Sequence, residues 1–201
     1  MTIYDLKPAF QSLLRPVCRS LANAGVTANQ VTVAGLILSV TVGGVVWIFE
    51  AAPWTLFLVP VTLFVRMALN AIDGMLAREH DMASSLGAIL NELADVGSDT
   101  ALYLPFAVIP HAPTKLVVLV VILAIFTELA GVVAVQIGAE RRYDGPMGKS
   151  DRAFVFGVLA LLIALDYING MWLTIVLWVV IFLLCLTVIN RVRKALLEVS
   201  P

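Results

Sequence analysis

Arg66-Met-Ala-Leu-Asn70-Ala-Ile-Asp73-Gly74-Met-Leu-Ala77-Arg78 closes one long apolar run, and Gly87-Ala-Ile-Leu-Asn91-Glu92-Leu-Ala-Asp95-Val-Gly97-Ser-Asp99 opens the next. Asn70 and Asp73 stand three apart and Asn91 and Asp95 four apart, so each pair shares one face of an α-helix. Two antiparallel helices joined by a tight turn can aim these oxygen ligands at one point. Polar side chains within a membrane span cost about 2.5–3.5 kcal/mol each on insertion scales, so such a gathering marks function.

Everything around this pair of runs is apolar. Of 201 residues, 61% are hydrophobic and 13% charged, against about 25% charged in a soluble domain. An α-helix needs about 20 residues to cross a hydrocarbon core. Six spans are expected, at about Gln30–Ile48, Pro53–Leu76, Leu86–Ile109, Leu116–Ile137, Phe154–Leu165 extending to Tyr167, and Met171–Ile189. Ahead of them Leu6, Phe10, Leu13, Leu14, Val17 and Leu21 recur at helical spacing, which suits an amphipathic helix lying in the membrane interface. Asp5, Lys7, Arg15 and Arg19 interrupt any signal-like apolar block, so this segment is expected to stay attached. The expected fold is an all-α integral membrane protein. It is read as one domain, residues 1–201, with an interfacial helix at 1–24 and a six-helix core at 25–195.

The net charge of −1 gives no bias toward nucleic acid. Its distribution is uneven. Lys7, Arg15, Arg19, Arg78, Arg141, Arg142, Lys149, Arg152, Arg191, Arg193 and Lys194 fall in the amino-terminal segment, the second and fourth connections, or the tail, while the opposite connections hold Lys115 alone. This asymmetry puts both termini and the polar cluster on the cytoplasmic side of a multi-pass protein, expected in a bacterial inner membrane. Cys18 and Cys185 fall in distant elements and are expected as free thiols. Thr27 or Asn29 is placed to cap the first span, and Arg141–Arg152, with Gly145-Pro146 and Gly148, reads as a basic loop.

Oxygen ligands of this kind suit Mg²⁺ or Mn²⁺, and a diphosphate is the substrate group that most needs those cations. Gly74, Ala77 and Gly87 lack bulk where a nucleotide would approach the backbone, and Arg78 offers a fork for phosphate. Arg66, deep in its span, is expected as the structural partner of Asp99 or Glu128.

The spacing of Asp73-Gly74, Ala77-Arg78, Gly87 and Asp95 resembles the signature of the CDP-alcohol phosphotransferase family, D-x2-D-G-x2-A-R-x8-G-x3-D-x3-D. Thr27-Ala-Asn29-Gln-Val-Thr32 is similar to that family's entry into its first span. The resemblance implies a homodimeric, cytoplasm-facing membrane enzyme of phospholipid biosynthesis. In such an enzyme the acids hold two divalent metals against the CDP diphosphate, and the last acid, Asp95, deprotonates the acceptor. It also implies that Lys149, Arg152, Arg142 and Ser150 contact a phosphorylated acceptor such as glycerol 3-phosphate. The expected reaction moves a phosphatidyl group from CDP-diacylglycerol to an alcohol and releases CMP.

Two positions depart from the signature, because Asn70 and Asn91 stand where it has aspartate. An amide oxygen ligates a hard cation without neutralising it. Asp99, one turn beyond Asp95, is the candidate to compensate. Two metals with altered ligands, one metal, and an inactive nucleotide-lipid binding subunit all remain open at this stage. A small transporter is a further reading, opposed by the tight signature and by the lack of inverted repeats.

Overall fold

A computed structural model describes residues 3–168 and 170–200, with side chains from Ala9 onward, so Leu6 and Lys7 lie outside the described side chains. The chain forms α1 (Ile3–Asn23), α2 (Ala28–Ile48), a single turn α3 (Pro53–Leu56), α4 (Leu58–Glu79), α5 (Ser85–Tyr103), α6 (Thr114–Val133), α7 (Lys149–Ala164) and α8 (Gly170–Val199). Short 3₁₀ segments follow α5 at Leu104–Val108 and α6 at Ala134–Ile137.

Four stretches are long and apolar enough to cross a membrane: Ala28–Ile48, Pro53–Glu79, Thr114–Ile137 and Gly170–Val199. Only 33–39% of their apolar windows is buried within the protein. Lipid must cover the remainder, and this is an all-α, multi-pass integral membrane protein. The other two expected spans fall short of that measure for different reasons. Helix α5 carries Glu92, Asp95 and Asp99 within 19 residues, and α7 has only 16 residues, or about 24 Å of helix.

Several boundaries differ from those read in the sequence. Pro105 ends α5 early and turns its continuation into 3₁₀ helix. Helix α7 starts at Lys149 rather than at Phe154, because the Asp151 carboxylate accepts the Gly148 N–H at 2.9 Å and caps the first turn. Lys149, Ser150 and Arg152 are therefore helical, not part of the basic loop. The sixth span continues as helix to Val199, carrying Arg191, Arg193 and Lys194 on the same element.

The chain groups into two compact units, Met1–Thr41 with Val61–Ser98, and Val42–Pro60 with Asp99–Pro201. In the first, Cys18 of α1 packs with Ala28, Val31, Ile72, Met75 and Leu76, flanked by Leu14 and Leu21. Arg15 clasps Glu79 through Nε at 3.2 Å and Nη2 at 2.9 Å, tying α1 to the end of α4. Leu13 and Val17 stay exposed on the other side of α1, as an interfacial helix requires. Thr27 is the cap of α2. Its Oγ1 accepts the Gln30 N–H at 3.3 Å while Gln30 Oε1 accepts the Thr27 N–H at 2.9 Å, a reciprocal capping box.

In the second unit α6 packs along α8. Tyr103 stacks on Phe156 with centroids 4.1 Å apart, and Phe106 meets the same ring edge-on at 5.0 Å. Gly43 lets α2 approach α5 closely, since a Cβ there would stand 2.0 Å from the Ala101 carbonyl oxygen. Gly131 is a contact position too, facing the Arg142 carbonyl, whereas Gly44 meets nothing within 4 Å and is not one. Cys18 is buried and Cys185 exposed, both as free thiols.

Candidate active site

Helices α4 and α5 bring the predicted polar residues of the first unit together. Arg66, Asn70 and Asp73 lie at i, i+4 and i+7 on α4, and Asn91 and Asp95 at i and i+4 on α5, so each set lines one face. Asn70 Nδ2 donates to Asp95 Oδ1 at 3.4 Å and bridges the two helices. Arg66 Nη2 stands 3.9 Å from the same oxygen. Helix α2 contributes a third wall, where Thr32 Oγ1 donates to Asp73 Oδ2 at 2.8 Å. Asp73 is buried and Asp95 half-buried.

The small residues of the motif have visible neighbours. Arg78 folds back over Gly74, so that a Cβ at Gly74 would lie 3.0 Å from Arg78 Nη2. At the start of α5, Gly87 donates its N–H to Ser84 Oγ at 3.0 Å, and a Cβ there would lie 2.7 Å from Asn29 Oδ1. Arg78 is exposed and Ala77 half-buried. Asn29 and Thr32 were not among the residues singled out for the site. The Thr27–Thr32 segment is visible in the sequence, but no spacing rule ties a residue near the start of one span to acids on another.

The second unit holds a different cluster. Arg152, 1% exposed, directs Nε at 3.2 Å and Nη2 at 2.9 Å onto Asp99 Oδ2, and Nη2 also onto Glu128 Oε1 at 2.9 Å. Its Nη1 donates to Thr127 Oγ1 at 3.0 Å and to the Met147 carbonyl at 3.3 Å. A guanidinium has five N–H donors, and these contacts engage all of them. Glu128 also meets Arg141 at 3.2 Å and Arg191 at 3.5 Å. Arg152 holds both Asp99 and Glu128, because α7 begins about a turn earlier than expected and carries Arg152 into the protein.

That arrangement bears on two expected roles. Asp99 spends its charge on Arg152, and in this arrangement Arg152 has no donor left for an acceptor phosphate. Arg142 is bonded to Asp144 at 3.0 Å and to Glu198. Lys149 and Ser150 stand in the first turn of α7, Lys149 half-buried and Ser150 exposed. Asp144 also accepts from Lys194 at 2.6 Å, and this bond, with that from Arg142, holds its carboxyl below the ordinary carboxylate range.

Among the described residues no three His, Cys, Asp or Glu side chains gather as a metal group. The donors on the α4 and α5 faces are two carboxylates and two amides, an all-oxygen set that suits a hard divalent cation.

Residues 25–189 match the CDP-alcohol phosphatidyltransferase family. Inner membrane protein YnbA of Escherichia coli K12 is 48% identical over 198 residues, covering 98% of each chain. Archaetidylinositol phosphate synthase of Pyrococcus horikoshii is 28% identical over 97 residues, 48% of this chain and 49% of its own. Phosphatidylinositol phosphate synthase of Mycobacterium tuberculosis with CDP-DAG bound has a similar fold, with a TM-score of 0.76 at 18% identity over 90% of this chain and 92% of the other. The same enzyme in complex with manganese and citrate gives a TM-score of 0.74 at 19% identity, over 90% and 87% of the two chains. With a family match that spans most of its length, this chain belongs to the CDP-alcohol phosphatidyltransferase family.

Proposed function

We propose that the protein transfers a phosphatidyl group from CDP-diacylglycerol to an alcohol acceptor and releases CMP. The observation that carries this reading is the α4 and α5 pair, where Asp73 and Asp95 sit at the family spacing and the Asn70–Asp95 bond joins the helices. Manganese in a related structure, and CDP-DAG in another, support the cofactor and donor classes.

Asn70, Asp73, Asn91 and Asp95 would hold Mg²⁺ or Mn²⁺, which when bound offsets charge on the diphosphate. Gly74, Ala77, Arg78 and Gly87 flank the diphosphate, with Arg78 as its fixed cation. Asp95 takes the acceptor hydroxyl proton. The acceptor oxygen then bonds to the β-phosphorus, and the bond from that phosphorus to the bridging oxygen breaks, leaving with CMP. Lys149 and Ser150 are the favoured acceptor contacts. Arg142 and Arg152 join them only by exchanging carboxylate partners for acceptor phosphate.

In this reading α5 and α7 also cross, giving six spans after an interfacial helix, with the site and both termini cytoplasmic in a bacterial inner membrane. Two copies form a homodimer. The donor's acyl chains stay in lipid while its diphosphate reaches the acids.

CMP release by purified protein with CDP-diacylglycerol, Mg²⁺ or Mn²⁺ and a panel of acceptors tests the reaction. The expected result is CMP together with a new lipid by mass spectrometry. Donor binding without CMP across the panel favours the second reading, an inactive nucleotide-lipid binding member, whose support is Asn70 and Asn91 in place of acids.

A further inference from the structure

We infer that Arg66 is a built-in cation of the α4 and α5 site, and that the site consequently takes one divalent ion rather than two. The inference rests on the divalent-cation reading above.

Arg66 is 4% exposed and lies on the α4 face that carries Asn70 and Asp73. Its Nη2 is 3.9 Å from Asp95 Oδ1, the oxygen that Asn70 also engages. A guanidinium keeps its charge at any pH a protein tolerates, so this positive charge is permanent. The cluster's charge then follows. Asp73 and Asp95 bring −2, Arg66 brings +1, and Asn70 and Asn91 bring none. No third acid gathers with them among the described residues.

Two divalent ions would add +4 to a cluster of −1, leaving +3 in a poorly solvated place. One ion leaves +1, which an arriving diphosphate more than balances. Arg66 also stands 3.9 Å from Asp95 Oδ1, and like charges held close repel strongly where water is scarce. The two amides and the arginine thus act in the same direction. The amides remove negative charge, and the guanidinium supplies positive charge without a metal.

Mn²⁺ binding to the full chain in detergent, followed by equilibrium titration and electron paramagnetic resonance, tests this without any turnover. One Mn²⁺ per chain with an uncoupled signal is the expected result. Two per chain with an exchange-coupled spectrum overturns the inference and leaves the transferase reading intact. No Mn²⁺ at all overturns the cation site itself, and the inference with it. One Mn²⁺ without CMP release in the acceptor panel leaves the inference standing while the transferase reading fails.

Arg66→Gln separates an electrostatic role from a packing role. Removing the fixed charge should tighten Mn²⁺ about tenfold, whereas Arg66→Lys, which keeps a charge, should stay within about threefold of the parent. Unchanged or weaker binding by a folded Arg66→Gln protein overturns the role given to Arg66. If that variant does not fold, the parent stoichiometry and the Lys variant still decide.

Discussion

Two buried arginines, each on a helix face with acids in reach, do different things. Arg152 is enclosed by Asp99, Glu128, Thr127 and the Met147 carbonyl at 2.9–3.3 Å, with every donor engaged. Arg66 stands 3.9 Å from Asp95, and the acids of its cluster accept from a neutral hydroxyl, Thr32, and a neutral amide, Asn70. Neutral donors orient a carboxylate without cancelling its charge. The first cluster is closed, its two acids held by Arg152, Arg141 and Arg191, and it holds helices together. The second sets two carboxylates, Asp73 and Asp95, beside one arginine, in line with the cation site proposed there. Burial does not distinguish the two arginines; the groups seen around them do.

The sharpest way to break this contrast is to neutralise one acid in each cluster. Asp95→Asn should lower CMP release by on the order of 10⁴-fold, from loss of the base and of a cation ligand, with little change in thermal unfolding. Glu128→Gln should do the reverse, costing stability with transfer reduced only as far as folded protein is lost. Equal effects of both on rate would show that the second cluster is part of the chemistry. Next in size, Arg152→Leu removes the buried cation that Asp99 and Glu128 share, at a cost of about 3–5 kcal/mol, measurable as a lowered unfolding midpoint in detergent. A third change tests packing outside both clusters. Gly43→Ala sets a methyl group 2.0 Å from the Ala101 carbonyl and should cost about 1–3 kcal/mol, with Gly44→Ala, which meets open space, as the matched control.

The contrast also explains how far the sequence could be read. Membrane class and the α4–α5 motif were legible because hydrophobic length and helical periodicity are local, and Asn70, Asp73, Asn91 and Asp95 follow from spacing on two neighbouring helices. The Thr27 cap was legible for the same reason. The hold of Arg152 on Asp99 and Glu128 was not legible, because pairing between distant helices depends on their rotation. That in turn shifted with a boundary: Asp151 capping Gly148 started α7 five residues before Phe154. Pro105 was visible, yet an apolar run through it looked like uninterrupted span. Thr32 on Asp73 is a contact between elements 41 residues apart, with no local signature.

The smallest expected effect lies at the edge of the closed cluster, where Asp144 accepts from Lys194 and Arg142 while its backbone carbonyl accepts from Arg191 Nε at 3.1 Å. Its carboxyl is held below the ordinary value of 3.8, chiefly by the hydrogen bond from Lys194. A depressed folded value means the unfolded chain binds the proton more readily, so this contribution is complete above the ordinary value and is lost as pH falls through the folded one. Between pH 7 and pH 5 the contribution of Asp144 to the unfolding midpoint should be constant, and Asp144→Asn should lower the midpoint by a few degrees, since these cations are partly solvated. Below pH 4 the difference between parent and Asp144→Asn should shrink toward zero. No difference at pH 7 would mean that the backbone bond to Arg191, which the variant keeps, anchors this loop, and would place Asp144 with the packing elements rather than with the charges.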